Sequence, residues 1–281
     1  MPLAYLLVNV AIVLAATSVR YGTQLPDSPG LWAAPPTSWP ALAAASAALA
    51  VAGAFCARRA LKRAAARRAL GELLVTFPVF FAYEWLALPA HPDERNWGDW
   101  AIPAALIVLC VTFVWRQRRH VGRLGLTGRN FPAATRLLAL PTGALILGLI
   151  AIGIAMETPV RPTAVAISAV TYPLYGIAQM GLFQFFLVPR LHRLSRSHAQ
   201  VVVAAAGLFA LIHWPNPVAM VATGSGALIW TWVYLRKPNL YAVALSMGLT
   251  SAALVHALPD TLTHHMRTGP IYVLRILEAA P

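Results

Sequence analysis

The chain has 281 residues, of which 59% are apolar and 11% charged, against roughly 45–50% and 25% in soluble domains. That composition excludes a water-soluble globule. The formal charge of +13, from 22 Lys and Arg against nine Asp and Glu, is large enough for a nucleic-acid binder, but such a protein lines its cations along a polar face. Here they sit in the gaps between long apolar runs. This is the pattern of a polytopic membrane protein whose basic loops lean on an anionic leaflet, and no nucleic-acid partner is expected.

A bilayer core of about 30 Å takes about 20 apolar residues in a helix. Nine runs approach that size: 2–19, 39–57, 69–90, 100–115, 137–156, 163–188, 199–214, 217–235 and 239–258. The expected fold class is all-α, a helical bundle of nine transmembrane spans. The first run has no basic n-region and ends in AATSVRYG, a poor cleavage site, so it is expected to be retained rather than removed as a signal peptide. Cys56 and Cys110 both lie inside apolar runs and are expected to be buried small side chains, with no disulfide framework.

Cations are retained on the cytoplasmic side during insertion, and the gaps after the second, fourth, sixth and eighth runs hold 16 of the 22 Lys and Arg. The expected topology is N-terminus inside and C-terminus outside, in a plasma membrane of the bacterial inner-membrane type. The basic stretch RRALKRAAARR reads as a solvated cytoplasmic turn, with a lipid-binding or nucleic-acid patch as the lesser alternative. GTQLPDSPGLWAAPPTSWP and HPDERNWGDW read as outer interfacial loops with Trp anchors. No internal repeat is visible. The chain is expected to divide into an accessory bundle (1–119), a core (120–258) and an outer C-terminal tail (259–281).

Ionisable side chains at membrane depth are costly and mark candidate sites. Glu72 and Glu84 are the acids within a run, both in 69–90. Twelve residues apart, they stand about 18 Å apart along one helix and cannot form one acid–base pair. Glu72, close to Arg67 and Arg68, is expected to pair structurally. Glu84 lies deeper and divides between a structural hydrogen bond and a role in a site.

The sixth run carries Tyr172, Tyr175, Gln179 and Gln184. Helical spacing sets Tyr172, Tyr175 and Gln179 on one face and turns Gln184 away. A packing seam explains these residues as well as a site does. From Ala199 to Trp214 the seventh run measures about 24 Å as a helix, short of the hydrocarbon thickness. The WPNP after it breaks the helix where only protein or water can satisfy the backbone. His213 and Asn216 are thus expected to face a buried or hydrated cavity, with structural hydrogen bonding as the alternative for His213. No HExxH, paired-Cys, phosphate-loop or GxSxG motif occurs. His264 and His265, adjacent to one another near His256, make a poor metal set.

From residue 120 to 258 the chain resembles the CPBP family, the intramembrane endopeptidases related to type II CAAX prenyl proteases and bacteriocin-processing proteins. The family pattern is two adjacent glutamates followed by an aromatic and an arginine, then F-x-x-x-H on the next helix, then a His with Asn or Asp four residues on. FALIH, Phe209 to His213, matches the second element; GRLGLTGRN resembles the family's lead-in and NLYAVALSMGLTS the stretch of the third. In AQMGLFQFF, however, Gln179 and Met180 stand in the glutamate positions, Phe183 is kept, and Gln184 takes the arginine position. Met247 and Ser251 replace the third pair.

The resemblance implies peptide hydrolysis within the membrane, in which a glutamate activates water and His and Asn polarise the carbonyl. Glutamine cannot accept that proton, though it can orient water and donate to an oxyanion. The expected function is that of an intramembrane endopeptidase homologue with a remodelled site, active or inactive, in which Gln179, Gln184, His213 and Asn216 form the catalytic set. Tyr175, Phe183, Met247 and Glu84 are the substrate-binding set, Glu84 also being a geometrically allowed substitute base. The alternative is a non-enzymatic scaffold or chaperone holding a transmembrane peptide or lipid. Membrane lipid and a membrane-protein or peptide substrate are the expected partners; neither a metal nor another cofactor is expected, and the oligomeric state is left open.

Overall fold

A computed structural model describes residues 1–21, 63–86, 101–116 and 125–279. The expected span 39–57, Cys56 and both Trp-bearing outer loops lie outside these residues. The described chain is helical and without strands: α1 (Pro2–Tyr21), α2 (Ala64–Leu74), α3 (Phe77–Leu86), α4 (Ala101–Trp115), α5 (Phe131–Ala155) and α6 (Pro162–Met180). Beyond α6 come a π-helical segment (Gly181–Leu187), α7 (Val188–Leu194), α8 (His198–Leu211), α9 (Pro217–Arg236), α10 (Leu240–Ala257), α11 (Asp260–Thr263) and α12 (Gly269–Ala279).

Four stretches among these residues, 128–155, 162–194, 217–236 and 240–257, are long and apolar enough to cross a bilayer, while Pro2–Thr17, within α1, and α8 are apolar but shorter. Leu140, Leu147 and Ile154 on α5 and Ile167, Val170 and Leu174 on α6 are exposed, as hydrocarbon-facing side chains are and soluble surfaces of this size rarely are. The chain is an integral helical membrane protein.

The run 69–90 is not one helix. Pro78 offers no N–H to the carbonyl of residue 74, and α2 ends at Leu74, with α3 beginning at Phe77. The Thr76 hydroxyl donates to Glu72 O at 3.1 Å and Leu73 O at 3.0 Å, and Tyr5 Oη donates to Leu73 O at 2.7 Å. These bonds satisfy carbonyls at the break.

The core is built around α10, which packs on α5, α6 and α9. Small residues let the backbones approach: a β-carbon on Gly153 would meet Ala257 O at 2.5 Å, one on Gly176 would meet Ala244 O at 2.9 Å, and one on Gly248 would overlap Pro173. Ser246 ties three helices, since its Oγ accepts from Trp230 Nε1 at 3.0 Å and shares a 2.6 Å hydrogen bond with Thr142 Oγ1. Outside the core, α1 lies against α3 and α8, α2 against α7, and α12 against α3.

At one end of the bundle the segment before α5 docks on the α9–α10 turn. Leu240 N donates to Gly125 O at 2.9 Å, Asn239 Nδ2 to Thr127 O at 2.9 Å, and Asn130 Nδ2 to Pro238 O at 3.3 Å. Gly125, at φ +76°, has no room for a β-carbon beside Asn239.

Candidate functional site

The first family motif falls where α6 gives way to the π-helical segment. Pro189 withholds an N–H from the carbonyl of Phe185, and Arg190 turns back instead: Nη1 donates to Phe186 O at 2.8 Å and Phe185 O at 3.5 Å. A single widened turn of this kind often accompanies function. Within it Gln184 is 1% exposed; among the described residues its Nε2 reaches only Met180 Sδ, at 4.0 Å, and its Oε1 accepts nothing. Gln179 is half-buried, and its Oε1 is likewise buried without a hydrogen bond. Each such oxygen costs about 1–3 kcal/mol unless a donor meets it.

Arg190 itself is 0% exposed and forms an ion pair with Glu72, Nε to Oε2, at 2.6 Å. Glu72 is thus paired structurally, as expected, and its partner is Arg190 from a distant part of the chain. Arg67 and Arg68 are exposed, whereas Arg190 comes from α7, which packs on α2 and carries its charge inward.

His213 lies just past the end of α8. Its Nδ1 is 2.9 Å from Phe209 O and 3.3 Å from Thr223 Oγ1. The Thr223 hydroxyl donates to Ala219 O at 2.7 Å, so it must accept from the imidazole. Both contacts assign the proton to Nδ1. That leaves Nε2 with its lone pair, and among the described residues it makes no hydrogen bond.

The ring of Phe209 gathers the two motifs. It meets Phe183 edge-on at 4.5 Å, His213 at 5.5 Å and Trp230 at 6.1 Å, while Phe183 meets Phe77 of α3 at 5.8 Å. Phe183 and His213 therefore share one aromatic centre, to which α3 also contributes through Phe77. No hydrogen bond joins His213 to Gln179 or Gln184 among the described residues.

The remaining candidates are placed apart from that centre or are already engaged. Met247 is 5% exposed and packs against Gly176, where a β-carbon would meet its Sδ at 3.1 Å. Tyr175 is 60% exposed on the outer face of α6. Asn216 is buried as the N-cap of α9, accepting from Ala219 N at 3.0 Å and donating to Thr263 O at 2.9 Å and Arg267 O at 3.0 Å. Its amide is fully engaged.

Glu84 reaches the same end of the bundle as His213. Its Oε1 is so close to Gly269 that a β-carbon there would meet it at 2.7 Å, and Gly269 N donates to Trp214 O at 2.7 Å. Elsewhere His256 Nε2 bonds Ser168 Oγ at 2.8 Å and His264 meets Tyr272 edge-on at 5.1 Å. Among the described residues no three His, Cys, Asp or Glu side chains stand together as metal ligands. With Gln179, Met180 and Met247 in the motif positions, the donor set does not fit a divalent cation.

Sequence reasoning missed Arg190, Thr223 and the main-chain carbonyl of Trp214. Pro189 beside Arg190 was the available signal for the first; nothing local marks the other two.

Residues 161–258 match the family model described as Rce1-like, type II CAAX prenyl endopeptidase Rce1-like. Comparison with curated proteins gives no match, and comparison with solved structures gives none.

Proposed function

We propose, from the likeness of residues 161–258 to the type II CAAX prenyl endopeptidase Rce1-like family, that the chain receives a membrane-embedded peptide without glutamate-driven hydrolysis. The observation that carries this is the state of Met180 and Met247, 1% and 5% exposed. At the positions where the resemblance places a glutamate and a histidine, both are apolar and packed dry. Hydrolysis needs a base in contact with water at the scissile carbonyl, and neither thioether supplies one. What is retained is a centre of buried Phe183 and Phe209 and half-buried His213, with the imidazole Nε2 lone pair and two buried amide oxygens that reward a donor.

The protein is then a scaffold that holds its peptide without cutting it. Nine spans, N-terminus cytoplasmic and C-terminus outside, in a bacterial inner membrane, complete it; the sorting of basic loops supports that orientation. The test is photo-crosslinking in nanodiscs with a transmembrane peptide carrying a photoreactive residue. Adducts on α8 or the π-helical segment, with the peptide uncut, are expected. Failure to crosslink there above a detergent-only control overturns the proposal.

One observation favours a second reading. The Glu84 carboxylate lies against Gly269, whose N–H bonds the carbonyl next to His213, so Glu84 would serve as the base of a remodelled endopeptidase. Cleavage lost in both Glu84→Gln and His213→Ala would select it.

A further inference from the structure

Three hydrogen bonds fasten the chain after α10 to the WPNP turn. Asn216 Nδ2 donates to Thr263 O and Arg267 O, and Trp214 O accepts from Gly269 N. Between those anchors the backbone takes left-handed φ values at His264 (47°), Met266 (55°) and Gly269 (62°). A residue with a β-carbon loses roughly 1–2 kcal/mol there, so His264 and Met266 are held by the anchors and not by local preference. The segment is also pinned from the accessory side, by Glu84 against Gly269 and by α12 against α3.

The chemistry of the anchors is specific in one respect. Two N–H donors aimed at carbonyls, and one carbonyl aimed at an N–H, complement a peptide main chain and take no account of its side chains. A helical peptide has those groups paired internally, so only an unwound stretch can use them. The anchors adjoin His213, whose Nε2 makes no hydrogen bond among the described residues.

We infer that the WPNP turn is a binding site for unwound peptide backbone, and that residues 263–269 fill it as a built-in occupant. The inference deepens the proposed function and rests on its claim that the site receives a peptide. Thr263 and Arg267 carbonyls stand where carbonyls of an incoming peptide would be held. Release of the strap frees the Asn216 amide next to His213.

Two substitutions in the full chain separate release from recognition. Gly269→Ala puts a β-carbon at a left-handed φ of +62°, which strains and loosens the strap while the Glu84 side chain moves aside, and it spares Asn216. Asn216→Asp keeps an equivalent N-cap acceptor for Ala219 N but removes both donors. The probes are hydrogen exchange across 260–272 and binding of the fluorescent peptide PDTLTHHMRTGPIY, with each protein in nanodiscs and exchange of α10 as the folding control. Both variants are expected to exchange faster in the strap. Gly269→Ala alone is expected to bind the peptide, about fivefold or more tighter than the unsubstituted protein, because its site is no longer occupied. Unchanged exchange in both variants, peptide binding no tighter in Gly269→Ala, or equal tightening in both overturns the inference. Peptide cleavage would contradict the proposed function without moving any of these readouts.

Discussion

Arg190 and Glu72 meet at 2.6 Å between helices 118 residues apart in sequence, and the same guanidinium closes the π-helical segment through Phe185 and Phe186. Burying two charges is costly, and removing one leaves the other unpaired, at about 3–5 kcal/mol. Glu72→Ala and Arg190→Ala are each expected to lower the melting temperature in detergent sharply. The exchange Glu72→Arg with Arg190→Glu is expected to recover part of it. Melting that does not change in the single variants contradicts this role.

Gly248 is where α10 touches the backbone of α6 at Pro173. The obstacle is main chain, which no side-chain rotation relieves, so Gly248→Ala is expected to destabilise by about 1–3 kcal/mol or more. Thermal unfolding and yield of monodisperse protein read this out; Gly143→Ala, where a β-carbon meets nothing within 4 Å, is the expected neutral control.

Ser246 gives a test by double substitution. Ser246→Ala leaves the buried Trp230 N–H without its acceptor, expected to cost about 1–3 kcal/mol. Trp230→Phe made in the Ser246→Ala background should cost less than the same change in the unsubstituted chain. Additive losses would show that the Trp230–Ser246 bond contributes nothing.

The donor set at the motif positions predicts that purified protein carries no stoichiometric zinc, since tetrahedral zinc needs more His, Cys or carboxylate ligands than stand together among the described residues. Elemental analysis checks this. One zinc per chain, lost in His213→Ala, contradicts it.

Much of the helical frame was legible because hydropathy is a local property: α5, α6, α9 and α10 lie close to the runs that mark them. Long-range choices were not. Glu72 has Arg67 and Arg68 nearby in sequence, and only the packing of α2 on α7 gives it to Arg190. Asn216 stands among prolines, which reads as a polar residue at a broken helix. The same letters also spell an N-cap with proline at the first helical position, and that is what α9 uses. The strap at 263–269 has no periodicity at all, because tertiary hydrogen bonds and left-handed residues set its path. At the motif itself the substitutions were plain in the sequence, but the dry packing of Met180 and Met247 depends on partners from other helices.

The most direct measurement is mass spectrometry of a transmembrane peptide incubated with the purified protein in bilayers, alongside His213→Ala. The peptide is expected to be retained and to remain intact with both proteins. Steady cleavage by the unsubstituted protein, abolished in His213→Ala, would contradict this.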